Sequence, residues 1–273
     1  MLISSDGIVL RQHKIAGNRR MITLFTRNYG KISAGTSMNE RGKGRSALAL
    51  RPFTYAEYQL FKGRGSYNIN HADVKESFYS IGEDLDRFLI ASKFLEFLDA
   101  ILLEEERKPR LFELTVDFLR SLVRSKGGYE TLLWAFVVKT FSFQGILPEM
   151  RHCVNCGKEA EVMRKESGFP PFFSVTAGGV LCRSCAEECG ISRKIKQNHA
   201  SNLHGSTKCD AEALNFEPDF DIVEVLQFFL KEPLHTFENL QLRPERAAVI
   251  REILNVYAEY YLDTNVLRGE LRL

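Results

Sequence analysis

Two cysteine pairs constrain the fold of this chain more than any other feature of its sequence. Cys153 and Cys156 form one C-x-x-C unit, Cys182 and Cys185 form a second, and 25 residues separate the two. A C-x-x-C turn aims two sulfur atoms at one point, and four thiolates satisfy the tetrahedral coordination of Zn²⁺. The spacing predicts a zinc ribbon over residues 149–192 that holds one structural zinc ion. Because four protein ligands leave no position for water, we expect no metal catalysis.

Other interpretations of the cysteines stay open. A thioredoxin-type redox pair needs its C-x-x-C at the start of a helix in a βαβ unit, and neither pair has that setting. Cys189 is an alternative fourth ligand because it lies on the same short segment as Cys185. Cys209 stands alone and is predicted to be a plain thiol. A β-hairpin fits between the two pairs, with bends at Gly168 and at 178–179.

Charge is distributed unevenly along the chain. Residues 1–70 carry 12 Lys and Arg against 3 Asp and Glu, whereas all 273 residues together have a net charge of only +2. A basic head joined to an acidic body attracts a polyanion through the head and limits indiscriminate binding elsewhere. We therefore expect the N-terminal region to bind nucleic acid. The alternative is a solvated basic surface that has no ligand.

The first 75 residues follow a pattern of short strands and turns. Runs of β-forming residues alternate with turns that contain glycine or asparagine. The runs cover residues 4–10, 21–26, 31–33, 53–61 and 66–71. Five short strands that close on themselves predict a small OB-like barrel. The glycine- and arginine-rich stretch 36–51 is predicted to be a mobile loop on that barrel.

Basic and aromatic side chains are the candidate nucleic-acid contacts of this barrel. Basic clusters neutralise phosphates with release of counterions, and aromatic side chains on an OB face stack bases. The candidate DNA-binding residues are Arg11, Lys14, Arg19, Arg20, Arg41, Lys43, Arg45 and Arg51, with Lys62 and Arg64 near a further turn. The candidate aromatic residues are Phe25, Tyr29, Phe53, Tyr55, Tyr58, Phe61 and Tyr67, at least half of which we expect in the core.

From residue 80 onward the hydrophobic period becomes helical. A capping box formed by Ser80 and Glu83 is predicted to begin the first helix. Further helices are predicted over about residues 111–123, 129–143, 222–230 and 244–262. The fold class is therefore α+β. Its predicted parts are an OB-fold β-barrel at 1–78, an α-helical domain at 79–148 and 193–273, and an inserted zinc ribbon at 149–192.

Enzymes and membrane proteins are the classes that the sequence disfavours. The chain has no P-loop, nucleophile elbow, H-E-x-x-H or dinucleotide-binding motif, so we expect no enzymatic activity. No signal-peptide pattern is present, and the longest apolar run, residues 132–138, is far too short to cross a bilayer. We expect a soluble, cytoplasmic protein. In that reducing environment, clustered cysteines hold metal in preference to disulfides.

Five stretches of the sequence stand out together. They are Asp6–Leu10, Thr23–Lys31, Leu50–Phe53, Phe143–Pro148 and Gly178–Cys185. In this order they resemble the RecO family of bacterial recombination mediators. The resemblance covers nearly the whole chain, and the part that contains the cysteines is its most specific element.

The resemblance implies a function as well as a fold. RecO proteins combine an OB barrel with a helical domain and, in many members, a zinc ribbon. They bind single- and double-stranded DNA, anneal complementary strands, and work with RecR to load RecA onto strands coated by single-stranded-DNA-binding protein (SSB). They also engage the acidic, hydrophobic C-terminal tail of SSB. The implied partners are therefore DNA, RecR, the SSB tail and, indirectly, RecA, and the implied location is the nucleoid.

Two functions of a different class remain open at this point. One is a zinc-ribbon RNA-binding factor of translation or transcription, which would use the same basic barrel. The other is a structural adaptor whose helices bind partners while the basic head is incidental.

Overall fold

Five strands form a closed barrel at the N-terminal end of the computed structural model, which describes residues 1–15, 19–37, 45–167, 171–188, 214–218 and 220–268. The strands are β1 (Leu2–Lys14), β2 (Arg20–Thr26), β3 (Gly30–Thr36), β4 (Thr54–Lys62) and β5 (Tyr67–Ser77). Their order around the barrel is β1-β2-β3-β5-β4, and β4 pairs with β1 to close it. The pairing of β3 with β5 is parallel, and the other strand pairs are antiparallel. The predicted OB-like barrel is confirmed.

Alternation of apolar and polar residues builds the core of the barrel. Along β4, buried and solvent-accessible side chains alternate, because successive side chains of a strand point to opposite faces. The inward-facing residues form one cluster, which includes Val9, Ile22, Leu24, Ile32, Leu60 and Ile69. The five strands therefore need no covering layer to bury their inner faces.

The predicted mobile loop at 36–51 is wrong over its second half. Residues Arg45–Leu48 form a one-turn helix, α1, and the two residues that follow it, Ala49 and Leu50, are fully buried in the barrel core. The Tyr58 hydroxyl donates a hydrogen bond to the Ala49 carbonyl at 2.5 Å. Ala49 and Leu50 therefore anchor this segment in the barrel core. A few apolar residues suffice for this, although the stretch around them is basic and rich in glycine. Residues 38–44 lie outside the described residues.

Two long helices follow the barrel. A 3₁₀ turn (Tyr79–Glu83) leads into α2 (Leu85–Ile101), and α3 spans Pro109–Arg124. The predicted capping box is wrong, since Ser80 and Glu83 both belong to the 3₁₀ turn. Asp84 caps α2 instead, its carboxylate accepting from the Arg87 backbone N–H at 2.8 Å. The two helices pack through stacked Phe94 and Phe118 rings, with centroids 4.1 Å apart.

The remaining elements in the part of the chain that the structure describes are five α-helices, a 3₁₀ turn and a small sheet. The helices are α4 (Tyr129–Gln144), α5 (Ala160–Ser167), α7 (Ile222–Lys231) and α8 (Pro244–Leu262), with a short α6 (Arg183–Glu188) and a 3₁₀ turn (Leu234–Phe237). The strands are β6 (Phe172–Ser174), β7 (Gly179–Leu181) and β8 (Asn215–Phe216), in the order β7-β6-β8. None of the described helices is long and apolar enough to cross a membrane.

The chain divides into two compact units. One contains Met1–Leu133, Leu234–Gln241 and the residues from Val266 onward; the other contains Trp134–Pro233 and Leu242–Asn265. In the second unit, Tyr257 of α8 lies at the centre of the core. The centroid of its ring lies 5.1 Å from that of Phe141 and 6.0 Å from that of Phe173. Its hydroxyl donates a hydrogen bond to the Ile146 carbonyl at 2.8 Å. The predicted domain boundaries at 78, 148 and 192 stay a prediction.

The turn between β2 and β3 depends on a glycine. Gly30 has a φ of +68°, and a Cβ there would lie 2.1 Å from the Glu106 carbonyl oxygen. We expect Gly30→Ala to lower the free energy of unfolding by about 3 kcal/mol or more, since it combines left-handed strain with a backbone clash. Gly65 is the matched control: its φ is +75° and nothing lies within 4 Å. Gly65→Ala is expected to cost only about 1 kcal/mol. Urea denaturation of both variants measures the difference, and equal losses would contradict the close contact.

Candidate metal centre and nucleic-acid interface

The four cysteines of the two C-x-x-C units meet at one point. The sulfur atoms of Cys153, Cys156, Cys182 and Cys185 all lie within 4.8 Å of one another. The Cys156 and Cys182 sulfurs are 3.7 Å apart, close to the edge of about 3.8 Å of a tetrahedron with Zn–S bonds of about 2.3 Å. Three of the thiols are buried and the fourth, that of Cys156, is exposed. This set can hold a metal ion.

Backbone hydrogen bonds shape the first cysteine turn. The Cys153 N–H donates to the Lys158 carbonyl at 2.7 Å, and the Gly157 N–H donates back to the Cys153 carbonyl at 2.9 Å. Gly157 closes the turn with a φ of +74°, a conformation that glycine adopts without strain. The Val154 N–H donates to the Val180 carbonyl at 2.9 Å, which ties this turn to β7.

The second cysteine pair follows β7 directly. Cys182 comes after the last residue of that strand, and Cys185 lies in α6. The Cys182 N–H points at the Cys153 sulfur at 3.3 Å. The predicted hairpin between the pairs is confirmed as β6–β7, with its bend at Gly178, but α5 also occupies the interval and was not predicted. Gly168 and Cys189 lie outside the described residues.

The electrostatics of the cluster favour a cation. Burial raises the pKa of the Cys153 thiol, but the backbone N–H groups of Cys156, Cys182 and Asn155 outweigh it and bring the pKa to about 7. The Asn155 side chain lowers the pKa of Cys185, yet burial and the three other thiols raise it to about 12. Four thiols this close cannot all ionise unless positive charge lies between them. A divalent metal supplies that charge.

Strand register places the tips of two hairpins at the same end of the barrel. It pairs Lys14 with Arg20, Arg20 with Thr36, Ala34 with Tyr67, and Tyr67 with Lys62. The end of β3 therefore lies between the tips of the β1–β2 and β4–β5 hairpins, whereas the direct pairing of β1 with β4 sets Leu2, at the other end of β1, against Phe61. We call the end with the two hairpin tips the hairpin rim. Its basic residues are Lys14, Arg19, Arg20, Lys62 and Arg64.

Three basic residues of the hairpin rim are the most available for an anion. Lys14, Arg19 and Arg64 are exposed, and none of them forms a salt bridge within the described residues. The Arg20 guanidinium instead donates to the Gln12 side chain at 3.3 Å. Of the first eight candidate DNA-binding residues, Lys14 and Arg19 are thus exposed and without an ion pair among the described residues, and their contact with phosphate stays a prediction.

Two further predicted DNA contacts, Arg11 and Arg51, lie outside the hairpin rim. The Arg11 Nε lies 3.4 Å from a carboxylate oxygen of Asp99 in α2. Arg51 is exposed but precedes β4, so it lies at the opposite end of that strand from Lys62. Arg41, Lys43 and the side chain of Arg45 lie outside the described residues.

Helices of the chain itself cover the outer face of β2 and β3, where OB folds bind oligonucleotides. Phe25 is fully buried there, and its ring meets that of Phe112 in α3 at 5.4 Å. The Lys31 ammonium donates to the Asp99 carbonyl at 2.7 Å and lies 3.6 Å from its carboxylate. Acidic and aromatic groups of α2 and α3 thus take the place that a ligand occupies in other OB barrels.

An acidic loop after α2 reaches the hairpin rim. The Glu105 carboxylate accepts a hydrogen bond from the Tyr67 hydroxyl at 2.7 Å and lies 3.6 Å from the Lys62 ammonium. The Tyr67 hydroxyl and the Lys62 charge lower the pKa of Glu105. The sequence run 104–106 looks like a solvated acidic face, but in the fold it engages the barrel. The separation in sequence leaves no local signal of this contact.

The candidate aromatic residues divide into three groups. Phe25, Tyr58 and Tyr67 are buried, whereas Tyr29, Phe53 and Tyr55 are half-buried. The Tyr55 hydroxyl donates to Asp6 at 2.8 Å, and burial together with this carboxylate raises the pKa of Tyr55 to about 12. Phe61 is the exposed member of the seven, with 52% of its surface accessible.

Family comparisons support the resemblance seen in the sequence. A family model described as Recombination protein O N terminal matches residues 1–78, and one described as Recombination protein O C terminal matches residues 82–215. A DNA repair protein RecO of Desulfitobacterium hafniense is 34% identical over 238 residues, or 84% of each chain. The chain belongs to the RecO family. The RecO protein of Alkaliphilus metalliredigens is 27% identical over 263 residues, covering 96% of this chain and 95% of that one.

The two family models cover both candidate sites. The N-terminal match ends one residue after β5, so it contains the whole barrel and its hairpin rim. The C-terminal match contains both cysteine pairs. The predicted RecO resemblance is therefore confirmed, and this RecO chain carries a four-cysteine cluster that can bind metal.

Proposed function

We propose that this RecO-family chain is a recombination mediator that acts by binding and not by catalysis. It binds single- and double-stranded DNA without sequence specificity, anneals complementary strands, and with RecR helps load RecA onto SSB-coated DNA. The observation that carries the proposal is the hairpin rim, where the register of a closed barrel gathers two basic hairpins.

The hairpin rim suits phosphates better than base edges. Lys14 and Arg19 are exposed, flexible cations at a hairpin tip, and such groups neutralise phosphates wherever a strand passes. Phosphate contacts carry no sequence information, so binding is independent of sequence. Two strands held against one basic surface have their mutual repulsion lowered, which speeds annealing.

The cysteine cluster is proposed to bind one structural zinc ion. Cys153 and Cys156 hold it from the first cysteine turn, and Cys182 and Cys185 hold it from the end of β7 and from α6. Thiolate sulfur is the donor that Zn²⁺ prefers in four-coordinate structural sites. When bound, the ion crosslinks segments that share only a few backbone hydrogen bonds.

The protein partners are proposed from family membership alone. They are RecR, the acidic C-terminal tail of SSB and, indirectly, RecA. A chain that acts on DNA with these partners works in the bacterial cytoplasm, at the nucleoid. The RNA-binding and adaptor alternatives are less well supported, since the two relatives compared above are DNA repair proteins.

Annealing of complementary oligonucleotides tests the proposal. In dilute salt, the full-length protein is expected to accelerate annealing of DNA strands by on the order of tenfold, and the effect is expected to fade as salt rises, because phosphate contacts are screened. A stopped-flow fluorescence assay with labelled strands measures the rate. RNA strands of the same sequence and strands that are not complementary are the controls. Acceleration confined to RNA, or none with DNA, would overturn the proposal.

A further inference from the structure

Phe61 exposes an aromatic ring beside the hairpin rim. The alternation along β4 turns Leu60 into the barrel core and Phe61 outward. Leu2 lies directly across from Phe61 on β1, and the two are 61% and 52% accessible. Two large apolar side chains side by side in water indicate a surface that a ligand covers.

A basic residue, Arg64, lies exposed at the hairpin tip next to Phe61. Lys62, the residue between Phe61 and the turn, points to the opposite face of β4 and pairs with Glu105 at 3.6 Å. The Gly63 N–H donates to the Ser66 carbonyl at 2.9 Å, which fixes the path of the hairpin. A flat apolar ring with a free cation near it complements single-stranded nucleic acid, whose bases are apolar on their faces and whose backbone is anionic.

The same outer face becomes acidic away from the tip. Strand register aligns Asp6, Glu57 and Asp73 in one row across β1, β4 and β5. Glu57 and Asp73 are exposed, whereas Asp6 forms a salt bridge with Lys75. This row repels a phosphate backbone, so a nucleic-acid strand on this face is confined to the end that carries Phe61.

We propose that Phe61 is a base-stacking site for single-stranded DNA, with Leu2 extending its apolar surface and Arg64 contacting a flanking phosphate. The proposal rests on the DNA binding proposed above and adds a preference to it. Bases in a duplex have their faces covered by their neighbours, so Phe61 meets only unstacked bases. Lys14 and Arg19, by contrast, contact the phosphates of either form.

Replacement of Phe61 by alanine tests this role in the full-length protein. Phe61→Ala is expected to weaken binding of an oligothymidylate about tenfold, the typical effect of losing one stacked base, and to change binding of a duplex less than about twofold. Tyr79→Ala is the matched control, since Tyr79 is 71% exposed and lies in the 3₁₀ turn of the same compact unit. Fluorescence anisotropy measures the affinities, and thermal unfolding verifies that each variant folds.

Two further variants keep the test decisive. Phe61→Leu retains an apolar side chain without a ring and is expected to lose as much affinity as Phe61→Ala. Phe61→Trp is expected to bind normally, with its emission quenched by single strands and not by duplex. The background is low, because Trp134 is the single tryptophan of the chain and is 1% exposed.

The outcomes separate this inference from the function on which it rests. If the wild-type protein binds DNA but Phe61→Ala loses single- and double-stranded affinity equally, or loses neither, the stacking site is wrong and the proposed function stands. If Phe61→Leu binds single-stranded DNA with wild-type affinity, the ring is not needed and the inference is overturned. A change of oligomeric state in Phe61→Ala with DNA affinity intact would show that Phe61 contacts protein, and it also overturns the inference. If the wild-type protein binds no oligonucleotide, both fall.

Discussion

Cys182→Ser is expected to release the bound zinc and to lower the free energy of unfolding by about 3 kcal/mol or more, because structural zinc binding is folding free energy. Cys182 is central to the cluster: its sulfur lies 3.7 Å from that of Cys156, and its N–H points at the sulfur of Cys153. Serine removes one thiolate and leaves three that cannot complete a tetrahedral site. Zinc per chain from elemental analysis, together with thermal unfolding with and without a chelator, measures both effects.

Cys189→Ser is the matched control for this prediction. It removes a thiol from the same segment, and if Cys185 is the fourth ligand it is expected to leave zinc content and stability unchanged. Retention of one zinc ion by Cys182→Ser, with wild-type stability, would contradict the four-cysteine site. Loss of zinc in Cys189→Ser would transfer the fourth ligand from Cys185 to Cys189.

Reversal of charge at the hairpin rim is expected to have the largest effect on DNA binding. The double variant Lys14→Glu, Arg19→Glu replaces two exposed cations by two anions at one hairpin tip. We expect affinity for single- and double-stranded DNA to fall by on the order of a hundredfold in dilute salt. The slope of log affinity against log salt should become shallower by about 1.4 to 1.8, since each of the two phosphate contacts contributes about 0.7 to 0.9. Fluorescence anisotropy over a salt series measures both quantities.

A second double variant isolates position from net charge. Lys126 and Lys231 are exposed outside the barrel, so Lys126→Glu, Lys231→Glu changes the net charge by the same amount. We expect it to weaken binding only slightly and to leave the salt slope as it is in the wild type. Equal losses in the two double variants would show that overall charge, and not the hairpin rim, governs binding.

The four-cysteine cluster was predictable because its determinants are local. Each C-x-x-C unit fixes the direction of two sulfurs within four residues, and Gly157 supplies the positive φ that the first turn needs. Only the joining of the two turns requires tertiary structure, and the β6–β7 hairpin provides it. The additional helix α5 was missed because Ala160–Ser167 is too short for its periodicity to stand out.

The barrel was predictable from its strand pattern, but the availability of its charges was not. The count of 12 basic residues treats every cation as free, whereas Arg11 and Lys31 face Asp99, and Lys62 faces Glu105. These acids lie some tens of residues away in sequence, so no local sequence pattern predicts the ion pairs. The burial of Phe25 under α3 was not predictable for the same reason, since its contact with Phe112 also joins residues far apart in sequence. Tertiary contacts thus pair Arg11, Lys31 and Lys62 with acids, whereas Lys14, Arg19 and Arg64 are exposed without an ion pair among the described residues.

Wild-type affinity for two single-stranded DNAs of unrelated sequence, measured over a series of salt concentrations, tests the central claim most directly. If the hairpin rim binds phosphates, both DNAs bind with equal affinity. Log affinity then falls linearly with log salt concentration, with a slope of about 0.7 for each phosphate neutralised. An affinity that does not change with salt concentration, or binding of only one of the two sequences, would contradict phosphate binding at the hairpin rim.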